Sequence, residues 1–363
     1  MLFDDRRNGV YARAIREAVG PKTVVMDLGA GLGLHGLLAA ADGAHRVYLV
    51  EPEPVVIAAL EAARASGLAD RVVVVRDRIE DAHLPEKVDL IVSAFTGNLL
   101  FSEDLLATLY FARDHHLKPE GLLLPDHAEL WLAPWSAPQF HAEYVAKWRQ
   151  PVMGLNYSFA ARCAANQVLW PSREELRAAA ALSPGSCVAE VDLTSGSTVD
   201  CNGSGRVRIE RAGTCHGLVA WIRLRIGDTW LSSSPDEPPV HWSPALLPLE
   251  EPLEVEQGET VALKLNRPAF GEWTWGMEAA GGSRRHSTFL ATPEGSRDLR
   301  KLAPGNAPAL DSRGKRALAI LQMFDAGLTN QESAMRLARD WGLDNFHAML
   351  EVQMQAKRYG ASS

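Results

Sequence analysis

Cysteine is scarce in this chain of 363 residues. The four present (Cys163, Cys187, Cys201 and Cys215) stand far apart with no C-x-x-C pair. That spacing offers neither a metal-ligand set nor a disulfide framework, and a reducing compartment is the expectation. Long apolar runs are also missing; none reaches the roughly 18 residues that a membrane-crossing helix needs. The opening MLFDDRRNGVYARAI has acids and arginines where a secretory leader carries an apolar core, so a cytoplasmic protein with no membrane association is expected. Positive charge is in deficit, with 37 Lys and Arg against 45 Asp and Glu for a net of −8. Such a chain is a poor general binder of nucleic-acid phosphates. The acidity suits a cationic partner or serves solubility.

What is present falls into blocks, and the length suggests two domains and a small third. Over residues 1–130, short β-branched runs alternate with helical patterns. TVVMDLG (23–29), RVYLVEP (46–52), RVVVVRD (71–77), VDLIVSA (88–94) and GLLLPD (121–126) are strand-like, and EPVVIAALEAARASG (53–67) is helical. This alternation predicts an α/β domain with a parallel sheet between helices. Residues 131–295 instead carry alternating runs punctuated by Gly, Pro and Ser, which predicts antiparallel β structure. A linker is expected over 296–312, then a module of three short helices over 313–363. Within the module TNQE (329–332) is a capping box, and Phe346, Met349, Leu350 and Met354 mark the last helix.

The first strand runs into a glycine-rich turn, VVMDLGAGLGLHG. Gly31, Gly33 and Gly36 fit G-x-G-x-x-G, with Glu51 about twenty residues on, as in a dinucleotide site of an NAD-dependent dehydrogenase. The same stretch fits D-x-G-x-G-x-G through Asp27, Gly29, Gly31 and Gly33. In that pattern the backbone approaches the methionine part of S-adenosylmethionine, where a Cβ would collide. A tight turn with no ligand uses the same residues.

The surrounding residues break the tie, because the chain resembles the protein arginine methyltransferase family through most of residues 1–295. MLFDDRRNGVY is similar to that family's first motif, with Asp4, Arg7 and Tyr11 at matching positions. VVMDLGAGLG matches its cofactor turn, and RDRIEDAHLPEKVDLIVS the next two motifs. SSPDEPPVHWSPALLPLEEPLEVEQGE (233–259) is similar to its threonine-histidine-tryptophan loop, with Val240 in place of threonine. The resemblance implies a Rossmann-like domain over 1–130, followed over 131–295 by a β-barrel-like domain with a dimerisation arm near 152–178. It implies S-adenosyl-L-methionine as cofactor and a homodimer. By the same match Arg7 grips the cofactor carboxylate, Glu51 holds the ribose, Glu80 accepts from the adenine amine, Ile79 packs beside the ring, and His241 pairs with Asp4.

One loop departs from the family. SAFTGNLLFSE (93–103) is the family's double-glutamate loop, and Glu103 matches the second acid, but the first is Ala94. A guanidinium is delocalised and always charged. Two carboxylates hold it in line with the methyl group and draw charge onto the attacking nitrogen. With one acid, the expected acceptor is a singly held nitrogen on a protein, peptide or small molecule, with Glu103 beside it. Other outcomes are a replacement acid such as Asp104 or one from a partner chain, or a catalytically silent module that binds cofactor and a partner. The helical module lies outside the resemblance. A packed helical cap and a peptide-recognition module both fit it, while its few exposed cations argue against DNA.

Overall fold

The computed structural model describes residues 1–94, 97–293, 299–301 and 303–360. Two compact units divide at Pro293.

The first unit opens with helix α1 (Asp5–Ala18), whose N-cap is Asp4. Strands β1 (Val24–Leu28), β2 (Arg46–Val50), β3 (Val72–Val75), β4 (Val88–Ser93) and β5 (Leu117–Leu124) form a five-stranded sheet of order β3-β2-β1-β4-β5. All its pairings are parallel. Helices α2 (Leu34–Ala41), α3 (Val56–Ala65) and α4 (Leu105–His116) connect the strands. The unbroken apolar character of VVMDL follows, since every residue of β1 is buried. The strand order reverses between β1 and β4, and in such sheets the crevice at that reversal is where ligands bind. The glycine turn leaves one side of it and the Ala94–Glu103 loop leaves the other.

Antiparallel structure follows, as the alternating runs predict. A six-stranded sheet is built on β6 (His127–Ser136) and β10 (Gly213–Ile226), with β7 (Ala180–Ala181), β8 (Ser186–Asp192), β11 (Thr229–Ser232) and β12 (Ala245–Val255). A four-stranded sheet has the order β15-β14-β13-β9, made of β9 (Cys201–Arg208), β13 (Thr260–Arg267), β14 (Thr274–Ala279) and β15 (Gly282–Ser287). One continuous core includes Val25 and Ile91 of the parallel sheet and Leu218, Leu263 and Trp275 of the antiparallel ones. Two features differ from the expected division. Strand β6 already begins at His127 and crosses residue 130, because it pairs along its length with β10. Residues 138–177 are partly helical, as α5 (Pro138–Tyr144), α6 (Phe159–Ala165) and α7 (Arg173–Arg177). The stretch between α5 and α6 leaves Val152, Met153 and Leu155 exposed.

The second unit holds α8 (Ser312–Asp325), α9 (Asn330–Trp341) and α10 (Asn345–Tyr359). Thr329 and Glu332 form a capping box, and Gly342 closes α9 in the left-handed conformation. Ile320, Leu337, Ala348 and Val352 make its core. The buried face of α10 is therefore Ala348 and Val352, whereas Phe346, Leu350 and Met354 point outward. The expected linker begins among residues 294–298, which lie outside the described residues. No helix among the described residues is long and apolar enough to cross a membrane.

Candidate active site

The glycine turn separates into residues with different constraints. Gly29, Gly31 and Gly33 all have positive φ, which favours glycine. A Cβ on Gly33 would meet Ala59 at 2.8 Å and Leu49 at 3.1 Å, so that glycine serves packing within the domain. At Gly31 a Cβ would meet nothing within 4 Å. The backbone here borders open space, as a cradle for a ligand requires. Asp27 lies beneath the turn, buried, and accepts a hydrogen bond from the Gly36 N–H at 2.8 Å. Burial pushes its carboxyl up to about 7 despite that bond. Glu51, at the end of β2, receives the Gly31 N–H at 3.0 Å on one oxygen and the Glu53 N–H at 3.0 Å on the other. A carboxylate has about four lone-pair positions, so two bonds leave acceptor capacity for a hydroxyl.

Arg7 comes to this crevice from α1. Its side chain is buried and bonds the Met1 carbonyl at 3.0 Å and Asn8 Oδ1 at 2.9 Å. The remaining terminal nitrogen, Nη1, is buried with no partner among the described residues. An unpaired buried guanidinium nitrogen is costly, and an anionic ligand group would satisfy it. The Arg7 guanidinium also stands 5.7 Å from the centre of the Trp242 ring. Tyr11, one turn along α1, donates to the Ser93 carbonyl at the end of β4, 2.9 Å away. That bond ties the motif helix to the strand that feeds the departing loop.

His35 was not singled out by the sequence. It stacks on Tyr11 with ring centres 4.5 Å apart, and its Nε2 is buried without a partner. Burial, and then the Arg7 charge, press its pKa down to about 3, so the ring is neutral. Position alone could have flagged it, since it follows the last glycine of the cofactor pattern by two residues.

Asp4 and His241 do meet, but not as side-chain partners. Asp4 Oδ1 caps α1 through the Arg7 N–H at 3.0 Å, and Oδ2 accepts from the backbone N–H of His241. No hydrogen bond joins the imidazole to Asp4 among the described residues. Burial, the chain-terminal amine and Arg7 lower the imidazole pKa and favour its neutral form. Asp4 thus fixes the path of the His241 segment through the main chain. The next residues are held in turn, because the Ser243 N–H donates to Asn98 Oδ1 at 2.9 Å.

Ile79 is buried after β3, and Glu80 beside it is exposed, with Oε1 accepting from Thr108 at 2.8 Å. In the departing loop Ala94 is buried, and Phe95 and Thr96 lie outside the described residues. Leu99, Leu100 and Phe101 anchor the loop in the core. Leu100 and Asp104 both take left-handed backbone conformations, with φ of 59° and 56°. Such conformations cost about 1–3 kcal/mol each and persist where burial over-determines them. Glu103 is exposed and reaches back across the loop. Its Oε1 lies 3.3 Å from where a Cβ on Gly97 would stand, so glycine leaves room for the carboxylate.

The alternative acid, Asp104, is already engaged. Arg267 binds it through two parallel bonds of 2.7 Å each, and the Phe270 N–H adds a third at 2.8 Å. The pair locks β13 to the loop, whereas Glu103 has no hydrogen-bond or ion-pair partner among the described residues.

Known proteins similar to this chain point to one family. Residues 25–121 match the methyltransferase domain family, and residues 126–269 match the arginine methyltransferase oligomerization subdomain. Probable protein arginine N-methyltransferase 6 of Arabidopsis thaliana is 30% identical over 317 residues, covering 72% of this chain and 70% of that one. Probable protein arginine N-methyltransferase 6.2 of Oryza sativa subsp. indica is 31% identical over 304 residues, covering 72% and 76%. Among solved structures, the Trypanosoma brucei PRMT1 enzyme-prozyme heterotetrameric complex with AdoHcy superposes with a TM-score of 0.71 at 22% identity. It covers 79% of this chain and 96% of that one. This chain belongs to the protein arginine N-methyltransferase family of S-adenosylmethionine-dependent methyltransferases.

Proposed function

We propose that the chain transfers a methyl group from S-adenosylmethionine to a nitrogen held by a single carboxylate, Glu103. The observation that carries this is the pairing of open space beside Gly31 with an unsatisfied Arg7 Nη1, together with a loop whose Asp104 is locked away. When bound, the cofactor supplies a methyl group on a sulfonium sulfur. Arg7 binds its carboxylate, Asp27 and the three glycines shape the turn, and Glu51 accepts from the ribose. Ile79 packs beside the adenine and Glu80 accepts from its amine. Glu103 orients the acceptor nitrogen and receives the hydrogen bond of its N–H, stabilising the positive charge that develops there. Asp4 and the His241 segment close the other side.

Ala94 sets the specificity. A guanidinium in this pocket loses one of its two clamps, which penalises an ordinary arginine acceptor. An amine, imidazole or amide nitrogen on a protein, peptide or small molecule needs only one. Family membership favours a second reading, in which the acceptor is a protein arginine and another acid, from the substrate or a partner chain, completes the clamp. The oligomer is a homodimer built on the 152–178 arm. Support comes from the matched oligomerization subdomain and from the arm's outward Met153 and Phe159, 98% and 61% exposed.

Calorimetry with adenosylhomocysteine and radiolabelled methyl transfer to host lysate test the reading. The wild type should bind and transfer, and Glu103→Gln should bind equally and transfer at least tenfold more slowly. Binding of NAD without adenosylhomocysteine, or full activity in Glu103→Gln, contradicts it.

A further inference from the structure

Behind the segment that leads to His241 lies a cavity of about 620 Å³ that shares no residue with the site above. That volume lies within the range of small-molecule sites. Its charged wall is made of Arg173 and Arg177 of α7, Arg211 ahead of β10, and the loop 235–239. Arg173 and Arg177 are one helical turn apart and therefore share a face. Neither Arg177 nor Arg211 has an ion-pair partner among the described residues. Trp135 lines the same space, and its buried indole N–H is also without a partner.

The carboxylates nearby do not balance these charges. Glu237 is taken up by Arg6, which leaves exposed Asp236 against three guanidiniums in the wall. Burial, and then the like charges of Arg177 and Arg6, disfavour the charged form of Arg173. Three guanidiniums line one space, and two of them, Arg177 and Arg211, have no ion-pair partner among the described residues, a donor surplus that suits a carboxylate or phosphate.

We propose that this cavity is an anion-binding site, in which Arg173, Arg177 and Arg211 hold a carboxylate- or phosphate-bearing group. Its location gives it a consequence. Arg173 already donates to the Pro235 carbonyl at 3.3 Å and the Glu237 carbonyl at 2.9 Å, and Arg6 of α1 grips the Pro238 carbonyl from the other side. The same loop runs on through Val240 to His241 and Trp242. An anion that fixes Arg173 therefore steadies the segment beneath Arg7. The group can belong to a free small anion or to an acidic side chain of the methyl acceptor.

The test is calorimetric titration of the full chain, at low chloride, with pyrophosphate, with citrate and with a short Glu-rich peptide. Comparison variants are the pair Arg177→Gln/Arg211→Gln, both at positions exposed in the single chain, and Lys264→Gln on β13 as a control. At least one probe should bind the wild type saturably. That binding should weaken at least tenfold in the paired variant, at an unchanged thermal midpoint, and stay the same in Lys264→Gln. Saturation by pyrophosphate or citrate identifies a free anion, and saturation by the peptide alone identifies an acidic side chain. If no probe saturates the wild type, or if the paired variant binds as tightly, the cavity is not an anion site.

Discussion

Substituting Asp104 by Asn separates a structural acid from a substrate-binding one. The Asp104 and Arg267 side chains are 15% and 8% exposed, and two 2.7 Å bonds join them. The neutral amide keeps the shape but takes away one acceptor oxygen and the negative charge. Arg267 is then left half-paired in a nearly buried place. Breaking a buried pair on one side costs about 3–5 kcal/mol, and this pair stands at the lower end because it lies near the surface. The unit spans Met1–Pro293, so the low end of the large-domain conversion applies, about 2 °C per kcal/mol, and the unfolding midpoint should fall by about 6 °C. Arg267 holds the Asp104 pKa below the usual carboxylate value. Stability from this group is therefore present above the ordinary carboxylate pKa and is lost as pH falls through the depressed one. The gap between wild type and Asp104→Asn should accordingly close in strong acid and be constant at neutral pH. The assay is thermal unfolding followed by near-ultraviolet circular dichroism, alongside adenosylhomocysteine titration. Adding Arg267→Met to Asp104→Asn should cost less than the sum of the two single changes. An Asp104→Asn protein with an unchanged midpoint but no affinity for an acceptor would show that Asp104 is the second clamp, refuting its assignment as a structural lock.

Two further outcomes follow from the site and the arm. Gly31→Val should lose adenosylhomocysteine binding by calorimetry, because a branched side chain at φ +52° is strained and fills the opening where nothing else stands. Met153→Asp with Phe159→Asp should leave the chain folded, since both positions are exposed in the single chain, yet sediment as a monomer where the wild type sediments as a dimer.

Much of the fold was legible because buried parallel strands and half-buried antiparallel ones have different periods. VVMDL is apolar throughout and buried throughout, and TVALKLNR alternates and buries alternate residues. The glycine turn was legible because glycine adopts its positive backbone angles without the strain other residues meet there. Long-range pairs were not. Arg267 is 163 residues from Asp104, and nothing local marks it as the partner that engages Asp104. The Asp4–His241 pairing was expected, but that it runs through a backbone N–H is something residue types do not report. The helices α5 to α7 were hidden for a different reason: each is short, and weak periodicity over five to seven residues cannot be told from a loop. His35 is marked in sequence only by its position after the glycine pattern, because the rest of its meaning lies in the burial of a ring nitrogen without a partner.

The central claim is that Ala94 turns a two-acid clamp into a one-acid site. The most direct measurement is the rate of labelled methyl transfer to an arginine-rich peptide by the wild type and by Ala94→Glu, with adenosylhomocysteine affinity measured in both. The account predicts poor transfer by the wild type, at least tenfold better use of the peptide by Ala94→Glu, and equal cofactor affinity. Efficient arginine methylation by the wild type, unimproved by Ala94→Glu, would contradict it.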